Sequence, residues 1–467
     1  MKINRSSTLM SSLDCLLQYR FIFTLALVGF TSQVNAKDVF LPGYTSSLTV
    51  EMEREATQFN RISAGMSVPD DCVPVRVGGV GRIDIQYLSC SEEAKQKNSR
   101  GEHVTGSLYV PDELAQRYNF WRRIYSLWSK NQYVMHIAEM PEVVLEIHDS
   151  TRIEDLGDKT REKTMKPWID VRRRHYQQVL LKLHKMKVLD TSKMTSVEIR
   201  IAGLFDHISR KDKFLVASQS IRIQRGQREY IEKGLATASK YLPHVEESFR
   251  KEGLPPEFAR IAFIESSFNL QAMSKVGASG VYQIMPQTGR DYLVVEGGID
   301  ERNDPVKASR AAAKLLMLNY KILGEWPLAV TAYNHGVGGI KRAMTATGSK
   351  DISRLIEKYD GPNFGFASKN FYCGFLGLLA TLEKANRVFP NFVPQQAMSF
   401  ELASVGGLTV SQAKSKFKIS TLTLMEFNPD VSRSFVKQDG VFPNRYKLKI
   451  PQNRQQNPNL RLASYKR

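Results

Sequence analysis

The sequence predicts a mainly α protein built from several domains, with small β elements near its two ends. Three observations carry that expectation. From about 226 to 392, apolar residues recur at helical spacing, with prolines at helix starts and glycines at helix ends. Residues 112–225 read as helices dense in charged and aromatic side chains. Residues 398–451 read strand, helix, helix, strand. At 467 residues the chain also exceeds one ordinary core, so about two to four domains are expected. Hydrophobic content of 42% with 24% charged residues is normal for a globular protein.

Residues 1–36 read as a secretory signal peptide. A basic segment ending in Tyr19-Arg20 precedes the apolar run from Phe21 to Phe30, and small residues up to Ala36 suit cleavage there. That run is too short to remain as a membrane anchor. Cys15 lies before it, which speaks against a lipid-modified cysteine. The expected location is the periplasm or cell envelope. Residues 37–111 are mixed, with short β-type runs such as Ile83 to Leu88, and carry no assignable role. Cys72 and Cys90 are a candidate disulfide pair in an oxidising compartment.

Residues 112–225 form the helical N-terminal region. Its aromatic stripe from Tyr118 to Trp128 reads as core, and Arg172-Arg173-Arg174-His175 as a solvated helix face. In residues 226–392, Asn303-Asp304-Pro305 opens a helix with a cap residue and then proline. It stops at Gly324. Trp326-Pro327 begins another, which ends at Asn334-His335-Gly336. A further helix runs from about Ala367 to Asn386, and Cys373 within it reads as a small buried hydrophobe. The glycine-rich stretch Gly277 to Pro286 lets backbone approach a ligand closely. The eight histidines show no metal-ligand pairing.

Glu265 is the most informative residue of this region. Phe258, Ile261, Ala262 and Glu265 fall at i, i+3, i+4 and i+7 of a helix opened by Pro255-Pro256. A carboxylate at the end of an apolar stripe loses solvation, so its neutral form is favoured and it becomes a proton donor near neutral pH. The plainer alternative is a glutamate at a helix end that reaches out to water.

Residues 226–392 resemble the soluble-lytic-transglycosylase domain, a goose-lysozyme-like family, and most closely its membrane-bound D type. The resemblance rests on ordered blocks: Glu265-Ser266-Ser267-Phe268-Asn269, the stretch Ala272 to Arg290, Asp300 to Pro305, and Ala332-Tyr333-Asn334-His335-Gly336. Phe364 to Tyr372 is a signature of the D-like branch. Residues 398–451 look like a diverged LysM module, the small βααβ unit that binds N-acetylglucosamine-containing glycans, on Asn428-Pro429 and Lys449-Ile450-Pro451. Residues 452–467 are a basic tail. The resemblance therefore implies a helical N-terminal region, a lysozyme-like α catalytic domain with a small β/turn element, and a small α+β LysM-like C-terminal module.

The resemblance also implies a chemistry. Glu265 corresponds to the family's single catalytic acid/base, acting on peptidoglycan between N-acetylmuramic acid and N-acetylglucosamine without cofactor or metal. Ser266, which belongs to the Glu-Ser block, is carried over as a substrate-binding position. Ser274 and Gln283 match substrate-contacting positions, and Met285 matches a residue lining the groove. Tyr333 and Asn334 match the block that positions the sugar. Gly280 is expected to shape the groove through its backbone. Tyr282 replaces the D-like branch's usual tryptophan, so a stacking surface is expected there. Ala367-Ser368 stands where many soluble members carry a Glu-Thr pair. His335 reads as structural.

The formal charge of +19 points to an anionic partner. With export expected, peptidoglycan glycan strands are the expected partner rather than nucleic acid. Cell-wall machinery proteins of unknown identity are further possible partners, and a monomer is expected. Two rival functions remain on the sequence alone. One is a hydrolytic muramidase with Asp300, Glu301 or Asp304 activating water. The other is a non-catalytic peptidoglycan-binding scaffold.

Overall fold

The computed structural model describes residues 108–151, 153, 157–186 and 188–452, together with short strands at 74–77, 84–87 and 103–105. The expected signal peptide, the Cys72–Cys90 pair and the basic tail lie outside the described residues. Helices dominate, and the sheets are small.

The core is organised around the helix Phe366–Glu383, which is buried on nearly every face from Ser368 to Leu379. An apolar helix of that kind must be wrapped by others. The helices Ala115–Ser126, Trp326–His335 and Ile261–Ser266 pack on it. The approach of Ala115–Ser126 is close enough that a Cβ at Gly377 would lie 2.8 Å from the Arg122 backbone nitrogen. Across the same contact, Arg117 Nη1 and Trp121 Nε1 both donate to Asn370 Oδ1, at 2.9 and 2.8 Å. The aromatic stripe of residues 118–128 is thus core, as its spacing predicts. It belongs to the same apolar cluster as residues 231–389. The expected boundary near 225 therefore does not separate two cores, because the first long helix of the N-terminal region completes the larger one.

Residues 112–225 are not all helical. Three antiparallel strands stand in the order Val144–Asp149, Gln132–Ile137, Ile221–Arg225. Gln132–Ile137 forms a wall between two cores. Val134 faces the larger cluster, whereas Tyr133, Met135 and Ile137 join a second one with the long helix Asp158–Lys185. A strand buried on both faces shows no apolar–polar alternation, so its sequence does not announce a strand.

The C-terminal unit pairs Phe400–Ser404 antiparallel with Lys447–Pro451 around helices Val410–Phe417 and Thr421–Phe427. A third short helix, Arg433–Lys437, was not apparent in the sequence. Thr409 and Gln412 form a reciprocal capping box at the first helix. The apolar cluster of this unit includes Val294 and Ile299 from the preceding domain. Its core is shared rather than free-standing.

Candidate active site around Glu265

Glu265 sits near the end of a short helix, Ile261–Ser266, entered through the single 3₁₀ turn Pro256–Arg260. Phe258, Ile261 and Ala262 are wholly buried, as the stripe predicts. The helix stops because Ser267 and Phe268 both take left-handed backbone, with φ of 52° and 55°. Glu265 itself is half-buried, and its Oε2 is buried without a hydrogen-bond partner. Burial pushes its carboxyl well above the usual carboxylate range, and among the described residues no cation offsets that cost. Burial of this kind favours the neutral form, which carries the proton.

The neighbouring loop is fixed by its own polar groups. Ser266 Oγ lies 3.0 Å from both the Ala262 and Val281 carbonyl oxygens and accepts from Asn269 N at 3.1 Å. It ties the end of the glutamate helix to the loop. Ser274 Oγ accepts from Ala278 N at 2.9 Å and closes the turn. Gln283, with φ of 48°, donates through Nε2 to Gly280 O at 2.8 Å and to Ala272 O at 3.2 Å. Gly280 has φ of 73°, and a Cβ there would meet Arg302 O at 1.7 Å. The expected backbone role of Gly280 has this close approach as its reason. Met285 is half-buried, in extended backbone just before the helix Pro286–Tyr292.

Tyr282 departs from the expectation of a stacking surface. Its ring is wholly buried, 6.1 Å from that of Phe249, and its hydroxyl donates to Ala259 O at 3.2 Å. The site uses its carbonyl instead. Tyr333 Oη donates to Tyr282 O at 3.0 Å. Burial raises the Tyr333 hydroxyl well above its usual range, and Glu265, once ionised, raises it further. Glu265, Tyr282 and Tyr333 are therefore brought together. Asn334 follows at the end of the helix Trp326–His335, half-buried, with Oδ1 accepting from Ser368 Oγ at 3.1 Å.

The other carboxylates named in the sequence are occupied. Asp300 takes both arms of Arg302, at 2.9 and 2.7 Å. Glu301 accepts from Val294 N at 2.8 Å and pairs with Lys307 at 3.1 Å. Asp304 caps the helix Pro305–Leu323 through Val306 N and Lys307 N, and pairs with Lys449. Arg302 braces the loop, a placement its sequence spacing did not single out. Its Nη1 donates to Gly277 O at 2.8 Å and Ile284 O at 3.0 Å, bracing both ends of the loop. It lies inside the motif block Asp300 to Pro305. Among the described residues, no group of three or more His, Cys, Asp or Glu could hold a metal ion.

The model of the transglycosylase SLT domain family matches residues 243–356, which contain Glu265, the loop, Tyr333 and Asn334. A protein of Alteromonas sp. (strain M-1) named for tributyltin chloride resistance is 30% identical over 158 residues, 33% of this chain and 74% of that protein. The chain belongs to the transglycosylase SLT domain family. Membrane-bound lytic murein transglycosylase D of Escherichia coli (strain K12) is 33% identical over 119 residues, 25% of this chain and 26% of that enzyme. Membrane-bound lytic murein transglycosylase C of Photorhabdus laumondii subsp. laumondii is 31% identical over 136 residues, covering 26% of this chain and 38% of that one. The chain thus spans about a quarter of the length of the transglycosylase D relative. The family match ends before Ser368, so the contact from Ser368 to Asn334 joins a family element to one outside the match.

Proposed function

We propose that this chain is a peptidoglycan lytic transglycosylase that cleaves between N-acetylmuramic acid and N-acetylglucosamine without consuming water. The observation that carries the reading is Glu265: one carboxyl group with a buried, unpartnered oxygen, whose neutral form burial favours, with Asp300, Glu301 and Asp304 engaged elsewhere. A hydrolase needs a second carboxylate, either as nucleophile or to activate water. A single carboxyl suffices when the substrate supplies its own nucleophile.

In this mechanism Glu265 gives its proton to the bridging glycosidic oxygen as the bond to muramoyl C1 breaks. The resulting carboxylate then takes the proton of the muramoyl C6 hydroxyl while that oxygen bonds to C1. The products are a 1,6-anhydro ring and a free hydroxyl on the departing glucosamine, and Glu265 ends protonated. Proximity of the C6 hydroxyl replaces much of what a second residue would provide. Tyr333, Asn334, Gln283, Ser274 and Met285 bind or shape the groove, while Ser266, Gly280 and the Tyr282 backbone hold its walls. The charge of +19 favours a polymer bearing carboxylates. Residues 398–451 act as a LysM-like glycan-binding unit, and residues 1–36 export the chain to the periplasm or cell envelope.

Mass spectrometry of purified sacculi digested with the protein tests the reading. Anhydro-muramoyl ends, lighter by one water than hydrolysed ends, are expected. Reducing ends would make the protein a muramidase instead, and no release from folded protein would leave only the scaffold reading.

A further inference from the structure

One serine hydroxyl stands between two side chains whose hydrogen placement decides what the site offers a ligand. Ser368 is buried in the first turn of the helix Phe366–Glu383. Its Oγ lies 3.1 Å from Asn334 Oδ1 and 3.1 Å from His335 Nδ1. The His335 ring meets Phe364 edge-on at 4.9 Å and covers Gly339, where a Cβ would lie 2.3 Å from the ring. Its Nε2 is buried and has no partner.

A hydroxyl has one proton to give, so when it donates to one of these neighbours and accepts from the other there are two arrangements. In the first, His335 Nδ1–H donates to Ser368 Oγ, whose own proton goes to Asn334 Oδ1. The Asn334 amide NH₂ then faces away from Ser368. In the second the chain runs in reverse, from the Asn334 amide through Ser368 to His335 Nδ1. The ring proton must then sit on Nε2, leaving a buried N–H with no acceptor, and Asn334 would offer its carbonyl oxygen. A stranded donor of that kind carries the full cost of its lost hydration.

We propose that His335 and Ser368 are positioning residues that lock the Asn334 amide with its NH₂ turned to the groove. This rests on the function proposed above and adds a rule of recognition to it. Next to Tyr333, itself beside Glu265, the site presents two fixed N–H donors. They select an acceptor oxygen of the glycan, such as an acetamido carbonyl, and disfavour a donor at that point.

Two measurements test this, and the first does not depend on activity. Long-range ¹⁵N–¹H NMR of histidine-labelled full-length protein above neutral pH reads the His335 tautomer, assigned by loss of its signals in His335→Gln. A protonated Nδ1 with a bare Nε2 is expected. A protonated Nε2 would mean the inverted amide and overturn the proposal. The second compares Ser368→Ala with Ser368→Thr on sacculi. The alanine variant should lose about tenfold in the rate of anhydro-product release, and threonine, which keeps the hydroxyl, should restore most of it. Full activity in folded Ser368→Ala would overturn the positioning role. A wild-type protein that releases no anhydro product would instead refute the proposed function and leave the tautomer result standing.

Discussion

Lys449 Nζ lies 2.6 Å from Asp304 Oδ2, and both side chains are wholly buried. The two residues belong to different units of the chain. Lys449 is in the last strand, and Asp304 caps the helix that follows the active-site loop. Beside them Lys307 pairs with Asp430 at 2.8 Å and with Glu301 at 3.1 Å, and sits 3.7 Å over the Tyr446 ring. Asp300 N also donates to Asp430 O at 2.8 Å. The C-terminal unit is therefore anchored to the segment that carries Arg302, and Arg302 braces the loop from Gly277 to Ile284. Placement of the loop and placement of the C-terminal unit share one buried network.

That network predicts an asymmetric response to mutation. Lys449→Met leaves the Asp304 charge buried without its cation, which should cost about 3–5 kcal/mol of stability. Adding Asp304→Asn should recover most of the loss, because asparagine still caps the helix and brings no charge. Unfolding midpoints of the two variants provide the check. Equal instability of the single and double variants would mean that the pair is not a unit.

Glu265→Gln should have opposite effects on activity and stability. Removing the acid should slow anhydro-product release by about 100- to 10,000-fold. The folded protein, however, holds Glu265 well above the usual 4.5. Between 4.5 and that raised value the unfolded chain binds fewer protons than the folded one, so stability falls as pH rises. Glutamine has no such penalty. The variant should melt higher than wild type at pH 7, with the difference shrinking toward pH 4.5. A variant that melts lower at pH 7 would contradict the buried, proton-holding state.

His136 carries the reverse sign. It lies in the wall strand, its ring 4.5 Å from Phe120 and 5.6 Å from Phe366, with Nδ1 3.2 Å from Ile137 O. Burial, then the nearby Arg222, pushes its pKa from 6.5 down to about 3, with a smaller push from Arg117. Between those values the unfolded chain binds the extra proton, so stability rises with pH and is lost on acidification. The slope from this group is about 1.4 kcal/mol per pH unit. His136→Leu should flatten the fall in melting temperature between pH 6.5 and 4. An unchanged pH profile would remove His136 as its source.

What the sequence revealed and what it hid follow from the range of each signal. The Glu265 stripe and the Asp304-Pro305 start are local patterns, and both were legible. Tyr282 was not, because an aromatic in a glycine-rich loop reads equally well as a platform or as core. The strand Gln132–Ile137 was hidden by burial on both faces. Lys449 and Asp304 are distant in the chain, and no spacing rule pairs them. Ser368 was visible only as a departure from the Glu-Thr pattern, with its partner His335 read as structural.

Two glycines separate backbone strain from steric exclusion. Gly280 and Gly324 both hold left-handed backbone, with φ of 73° and 83°. A Cβ at Gly324 would meet nothing within 4 Å, whereas at Gly280 it would lie 1.7 Å from Arg302 O. Gly324→Ala should therefore cost only the conformational penalty, about 1–2 kcal/mol, and leave activity intact. Gly280→Ala adds a clash with backbone that Arg302 and Asp300 hold in place, for a further cost of about 1–3 kcal/mol. It should also displace Gln283, whose side chain donates to the Gly280 carbonyl, and so reduce product release in protein that remains folded. Melting temperature and sacculus digestion, measured on both variants, distinguish the two costs. Equal losses in both would mean that the loop yields to Arg302 and that close approach is not what requires glycine there.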